Sequence, residues 1–332
     1  MKNLIGIQFD SNEICLSQFD GKGLRMYSER MPENLVKNDQ IVSQETFSSF
    51  LKDIKRRGHF TGRACALVLP LSTAYFRIIS MPVTSDQQLR LNLPYEFKDY
   101  VGSDSFRYNF DYAVRNIEFD ENGDPVTMEL MAAAAQKETL DNYAAVLKKS
   151  GLKLKEAIPT EMALLNIARR AVKDGAKLDK EECICNIGMN STILGIIKDG
   201  ELSAFKVIDI GCEQIDSIIA EIYGIDPFLS ASYRASNYEN VLDNDRCRSV
   251  YDRLGLEITK TINFFRYENP DSELNKLTWT GSSKWIENKI DQSLDYIGFK
   301  QRSIEDWMPG KPEDDELAAR CVLAIGAVSA DE

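Results

Sequence analysis

The chain has 332 residues, 43% of them hydrophobic and 28% charged, and a formal net charge of −12. That length exceeds what one hydrophobic core usually supports, so two or more lobes are expected. The acidic balance argues against a nucleic-acid ligand, because binding a polyanion depends on clustered Lys and Arg that displace counterions.

No apolar run approaches the roughly 18 to 20 residues needed to cross a bilayer. The start, Met1-Lys2-Asn3-Leu4, passes directly into a strand pattern instead of a signal-peptide apolar region, and a cytoplasmic protein is the expectation. The basic run Lys55-Arg56-Arg57 closes a predicted helix, where cations suit the helix dipole. Seven cysteines, at 15, 65, 183, 185, 212, 247 and 321, fall mostly in apolar segments and read as reduced core residues. The single histidine, His59, has neither a nucleophile elbow nor metal-spaced partners, which removes most hydrolase mechanisms and gives no metal site.

Strand pattern occupies residues 3–9, 14–19, 63–69 and 74–80. A helix between the second and third sets Phe47, Phe50, Leu51 and Ile54 on one face, after a Ser43 cap and before Gly58. Strands, a crossover helix and more strands predict an α/β lobe. Ser85 and Gln88 form a capping box for a short helix that Pro94 is expected to interrupt. Strands at 107–115 and 126–134 follow, joined by the turn Glu121-Asn122-Gly123-Asp124-Pro125. A helix then aligns Leu140, Tyr143, Ala144 and Leu147, a strand covers 152–158, and a helix from Glu161 is expected to be capped by Thr160. After the polar link 173–182 come strands at 183–187, 193–197 and 202–208, the first two joined by the turn 188–192, and helices bearing Ile215, Ile219 and then Val250 to Phe265. A strand at 276–280, a helix with Ile286, Ile290 and Leu294, and a last helix at 314–328 complete the chain.

The chain repeats itself. Residues 4–24 and 183–202 both run strand, polar turn, strand, Asp-Gly turn, so that Gln8 meets Asn186 and Asp10 meets Gly188. A strand-turn-strand facing a cleft suits phosphates, since a tight turn points several backbone N–H groups inward and Ser or Thr adds donors. A polar turn between two strands is also an ordinary hairpin.

At these residues the chain resembles the actin-like ATPase superfamily of actin, sugar kinases and FtsA, and within it the PilM family of type IV pilus assembly proteins. LIGIQFDSNEICLS is similar to a first phosphate turn, offering Gln8, Asp10, Ser11 and Asn12. CNIGMNSTILGIIKDGELSAFKVIDIGCEQI is similar to a second, offering Asn186, Gly188, Asn190, Ser191, Thr192, Gly211 and Glu213. PTEMALLNIA resembles the connecting segment with its glutamate, here Glu161. TWTGSSKWIENKID resembles the adenosine turn through Gly281, Ser282 and Ser283, and LAIGAV the closing segment. RLNLPYEFKDYV and AAAQKETLDNYAAVLKKSGL point to PilM in particular. The resemblance implies an α/β, actin-like (ribonuclease H-like) duplicated two-lobe fold with an inserted α+β module. The first lobe would span 1–80 and 154–178, the module 81–153, the second lobe 179–313 and a returning closing helix 314–332.

The sequence departs from that family where metal chemistry is expected. Gln8 and Asn186 stand for aspartates, Asp10 for a glycine and Cys15 for a lysine. Mg²⁺ is normally held through carboxylates and phosphate oxygens, and Asp10 sets a carboxylate where phosphates should be welcomed. ATP and Mg²⁺ are therefore expected to bind weakly or not at all, without useful hydrolysis. The resemblance implies a scaffold that binds the cytoplasmic tail of a PilN-like inner-membrane protein, with other pilus assembly proteins as further partners and the membrane reached only through its partner. Leu93, Tyr95, Phe97 and Tyr100 would line the peptide groove. The alternatives are an active ATPase regulating pilus or type II secretion assembly, an FtsA-like polymer former, and a GspL-like domain.

Overall fold

The computed structural model describes residues 4–20, 23–282, 289–290, 298–308 and 314–329. The first lobe opens with strands β1 (Leu4–Phe9), β2 (Glu13–Asp20) and β3 (Gly23–Arg30), a small ladder of β4 (Val36–Lys37) and β5 (Gln40–Ile41), helix α1 (Gln44–Arg57) and strand β6 (Ala64–Leu69). Ser43 caps α1 as expected, accepting from the Thr46 amide, and Phe47, Leu51 and Ile54 are buried. Each such side chain contributes about 1.5–3 kcal/mol. The third strand of the meander was not foreseen.

The inserted unit is a sheet of β7 (Ala74–Pro82), β8 (Tyr108–Phe119) and β9 (Pro125–Gln136), with β9 in the middle. Helices α2 (Asp86–Glu96) and α3 (Lys98–Val101) cover one face. Phe76, Ile78 and Met131 on the other face join the core that the two lobes share. Helix α2 runs through Pro94 without the expected interruption. Pro94 removes an amide, but the carbonyl it would have served is on exposed Arg90, and Arg77 donates to the Glu96 carbonyl at the helix end. The sheet starts with β7, inside the segment 1–80, because β7 pairs with β9 along its whole length. Helix α4 (Lys137–Lys149), inside 81–153, packs Tyr143, Val146 and Leu147 into the first lobe's core beside Phe47 and Leu51.

Strand β10 (Lys153–Pro159) and helix α5 (Thr160–Lys173) return to the first lobe. Thr160 is the first helical residue, not the cap. Its hydroxyl donates to the Leu69 carbonyl at 3.0 Å, tying α5 to the end of β6.

The second lobe contains β11 (Glu181–Ile187), β12 (Thr192–Lys198), β13 (Glu201–Ile208), α6 (Cys212–Tyr223), α7 (Pro227–Ser236), α8 (Asp245–Glu268), β14 (Lys276–Gly281) and β15 (Lys300–Arg302). Of the helix expected around Ile286, Ile290 and Leu294, only Ile290 is described here, and it is buried in this lobe's core; the rest lies outside the described residues. The two five-stranded sheets, β10-β6-β1-β2-β3 and β15-β14-β11-β12-β13, repeat one order. In both, the first strand pairs antiparallel with the second and parallel with the later strand.

The final helix is broken at Cys321 into α9 (Asp315–Arg320) and α10 (Val322–Ala327). Helix α10 is seated on the first lobe, where Ser17 Oγ donates to the Ala324 carbonyl at 2.6 Å and Asn166 Nδ2 to that of Gly326 at 3.2 Å. A Cβ at Gly326 would stand 2.0 Å from the Ala163 carbonyl oxygen, so only glycine permits this approach. One core cluster runs through both lobes, joining Leu164, Ile167 and Ala324 to Ile184, Ile193 and Leu202.

Candidate functional site

The duplicated hairpins close in the same way. The Asp10 amide donates to the Glu13 carbonyl and the Gly188 amide to that of Ser191, both at 2.9 Å, so Asp10 and Gly188 are equivalent in structure as they are in sequence. Their surroundings differ. The Asp10 carboxylate caps its own turn, accepting the amides of Asn12 at 2.7 Å and Glu13 at 2.8 Å. Burial pushes its carboxyl up to about 6 against the pull of those two amides. Two donors that a turn could aim at an anion are thereby taken by the chain's own anion.

In the second hairpin, Asn186 is buried and its Nδ2 donates to Thr280 Oγ1 on the neighbouring strand at 3.1 Å. Thr192 Oγ1 donates to the Ile210 carbonyl at 2.7 Å. The turn's carbonyls occupy the beginning of α6, with Gly188 O accepting the Cys212 amide at 3.1 Å and Met189 O that of Glu213 at 2.9 Å. Gly211 allows this, since a Cβ there would meet the Met189 oxygen at 2.3 Å. The Ser282 amide donates to the Ile187 carbonyl at 2.9 Å. Helix N-termini attract anions through unsatisfied N–H groups, and here two of these already have partners.

A cleft of ≈ 1710 Å³ separates the lobes, lined by Asn12, Glu13 and Arg30 on one side and by Arg234, Trp279, Gly281 and Ser282 on the other. Of the residues expected at a nucleotide, the structure brings Asn12, Gly281 and Ser282 to this wall. Asn186, Gly188, Ser191, Thr192 and Gly211 are gathered next to the sheet, Asn190 and Glu213 are exposed, and Ser283 lies outside the described residues. Glu161 is buried in the first turn of α5, and burial pushes its carboxyl up to about 7. Trp279 lines the cleft with its Nε1 donor unpartnered. Among the described residues no three His, Cys, Asp or Glu side chains converge as a metal site. Gln8 leaves a buried neutral oxygen without a partner, and Asn186 is already engaged. This donor set does not suit a hard divalent cation, which takes anionic oxygens.

Sequence reasoning missed the residues that join the lobes. The Arg30 guanidinium at the end of β3 lies 3.9 Å from the centroid of the Phe228 ring on α7, and Arg30 also donates to the Phe228 carbonyl and, at 3.0 Å, to Ser232 Oγ. Behind this contact, Arg234 and Asp216 form a buried two-pronged ion pair at 2.7 and 3.2 Å. Burial works against the Arg234 charge, but Cys212, Asp216 and, across the cleft, Asp10 together hold it more firmly protonated than usual. The Asp226-Pro227 pair, an N-cap followed by proline at the first helical position, was a legible signal for α7.

The peptide-groove expectation is corrected at two positions. Leu93 and Phe97 are fully buried in the inserted unit's own core, facing Leu130 and Ala134. Two helices on a three-stranded sheet need those side chains to close their interface. Tyr95 and Tyr100 remain at the surface, 75% and 50% exposed.

Two duplicated α/β lobes facing one cleft, with a separate unit set into the first, are the arrangement of an actin-like protein. The chain belongs to the family of type IV pilus assembly protein PilM, whose model matches residues 11–301. Among solved structures, that of a PilM-PilN type IV pilus biogenesis complex is similar over 98% of this chain and 97% of the other, with TM-score 0.82 at 17% identity. The ethanolamine utilization protein EutJ from Carboxydothermus hydrogenoformans is similar over 97% of this chain and 89% of its own, with TM-score 0.56 at 14% identity. A search of curated proteins finds no match. Among the described residues no helix is long and apolar enough to cross a membrane.

Proposed function

We propose that this type IV pilus assembly protein works as a cytoplasmic scaffold. Its two-lobed body presents the inserted unit to the tail of a PilN-like inner-membrane protein, and its cleft does not drive hydrolysis. The observation that carries this reading is the self-satisfaction of the two hairpins. Asp10 takes the amides of its own turn, Asn186 is bonded to Thr280, and the second turn's carbonyls hold the first amides of α6. Phosphate binding would have to break these bonds, and it would meet the Asp10 carboxylate with no cation holder beside it.

The membrane partner is inferred from the family and from the complex named above. Tyr95 and Tyr100, with Leu91 61% exposed on α2, offer the apolar surface on which a short peptide's anchors could rest.

Calorimetric titration tests the reading in two parts. A peptide copying the N-terminal tail of a PilN-like neighbour should bind, and ATP with Mg²⁺ should give little or no heat. Micromolar ATP binding with turnover would overturn the scaffold reading in favour of an ATPase that regulates assembly.

A further inference from the structure

The basic run that closes α1 is part of a larger surface. Helices α1 and α4 lie side by side, joined by Ser48 Oγ donating to the Val146 carbonyl and by the Lys149–Glu45 ion pair. Helix α1 leads through residues 58–63 into β6 and α4 through residues 150–152 into β10, so both connections turn at the end of the lobe where the parallel strands β1, β6 and β10 begin. The Lys153 amide donates to the Arg63 carbonyl at 2.8 Å. Lys52, Arg63, Lys148, Lys153 and Lys155 are exposed there and Lys55 is half-buried. Among the described residues none of these six makes an ion pair with an acidic side chain, because nearby Asp53 and Glu45 are held by Arg56, Arg57 and Lys149.

Cations at helix C-termini suit the dipole, and lysines on an edge strand such as β10 discourage aggregation. Neither effect calls for like charges to be crowded together. Arg63 adds to burial in making the Lys55 ammonium easier to deprotonate, in a chain whose net charge is −12. A surface that tolerates such repulsion is suited to a counter-surface of opposite sign. The patch is spread over a helix flank, two helix ends and a strand edge, at the opposite end of the lobe from the cleft turns. No exposed Phe, Tyr or Trp lies between Lys52 and Arg63, since Phe60 is buried, and the one exposed ring there is the imidazole of His59.

We infer that this end of the first lobe lies against an anionic lipid bilayer, its lysines and arginine contacting phosphate headgroups. Juxtamembrane basic residues act in this way and their attraction is salt-dependent. The patch gives the protein a direct, orienting contact of its own with the membrane, in addition to tail capture.

The test is flotation of the whole chain with vesicles of phosphatidylcholine alone or mixed with phosphatidylglycerol, at low and high salt. No partner protein is present, so the outcome is separate from that of tail binding. The protein should float only with the phosphatidylglycerol vesicles and be released by salt. The combined K52E, K55E and R63E variant should bind on the order of a hundredfold less tightly while keeping its circular dichroism spectrum. A second variant, K148E with K153E, should weaken binding independently, and Lys300→Glu on the second lobe should not. Absence of flotation, or flotation indifferent to both charge-reversed variants, would overturn the inference, as would tighter binding to a DNA oligonucleotide than to the vesicles.

Discussion

Arg30 and Phe228, on different lobes, meet face to cation at 3.9 Å across the mouth of the cleft. The same guanidinium bonds to the Phe228 carbonyl and to Ser232, so β3 of one lobe is fastened to α7 of the other. At the opposite side the lobes share the core around α5 and α10. A body joined at one side by a core and tied across the cleft mouth through Arg30 can open more freely if that side chain is removed. Arg30→Ala should cost about 1–2 kcal/mol in urea unfolding, from a lost stack and its hydrogen bonds. It should also broaden the distance between spin labels placed on β3 and α7. An unchanged distance distribution would mean that the shared core alone sets the closure.

Glu161 gives a pH dependence with a definite sign. Burial raises its folded carboxyl from 4.5 to about 7. A group raised on folding contributes stability that is complete below the unfolded value and is lost as pH rises through the folded value, here between roughly pH 4.5 and 7. The loss could reach about 3 kcal/mol. Glu161→Gln keeps the shape and removes the titration. Its stability should exceed wild type near about pH 8 and match it near about pH 4, as measured by denaturant unfolding across pH. Parallel curves at every pH would show that Glu161 is not titrating in this window.

The elements legible in the sequence were those with strong local signals. The Ser43-capped α1, the Glu121 to Pro125 turn and both hairpins follow from spacing and turn chemistry, and the duplicated start gave the equivalence of Asp10 with Gly188. What stayed hidden depends on contacts far apart in the chain. Arg30 and Phe228 are 198 residues apart, and no local pattern marks them as partners. Strand β3 is only half-buried along most of its length, which mutes the alternation that reveals a strand. Leu93 and Phe97 looked like peptide anchors because composition cannot tell a groove from a core, whereas the facing Leu130 and Ala134 settle the matter. The site residues were named through a resemblance. What the structure adds is that the donors of Asn186 and Thr192 and the amides after Asp10 are already bonded within the protein.

The inserted unit separates core from surface. Leu93→Ala should destabilise the protein by about 2–5 kcal/mol, since its side chain is almost completely enclosed. Tyr95→Ala and Tyr100→Ala should leave stability within about 1 kcal/mol. If the tail rests on this surface, those two variants should weaken peptide binding by calorimetry, with an unchanged melting temperature. Peptide affinity that ignores both tyrosines would move the docking site elsewhere on the protein.

Helix α10 offers a test of the fold that involves no ligand. The Gly326 position has no room for a methyl group, because the blocking atom is the Ala163 backbone oxygen, which no side-chain rotation can move. Gly326→Ala should cost about 3 kcal/mol and loosen the hydrogen bond from Asn166, exposing α5 amides to exchange. Near-wild-type stability would mean that α10 is less firmly seated than its backbone contacts indicate.

Aspartates placed at positions 8 and 186 ask whether these two amides decide how the cleft treats a cation. Asp at 186 would replace an amide that donates to Thr280 with a buried anion that cannot donate. Asp at 8 would set a second charge where Gln8 now leaves an unpartnered oxygen. Without ligand, the Gln8→Asp and Asn186→Asp double variant should lose a few kcal/mol, because buried unpaired charge is costly. Added Mg²⁺ with ATP should recover part of the loss by mass action if the rest of the cleft still fits a nucleotide. Thermal melts with Mg²⁺ alone, ATP alone and both together separate the contributions. A rise only with both, where the wild-type chain shows none, would identify the two amides as what decides nucleotide binding. A variant that melts low under all conditions would place the obstacle in the Asp10 carboxylate and in the turn carbonyls that hold the first amides of α6.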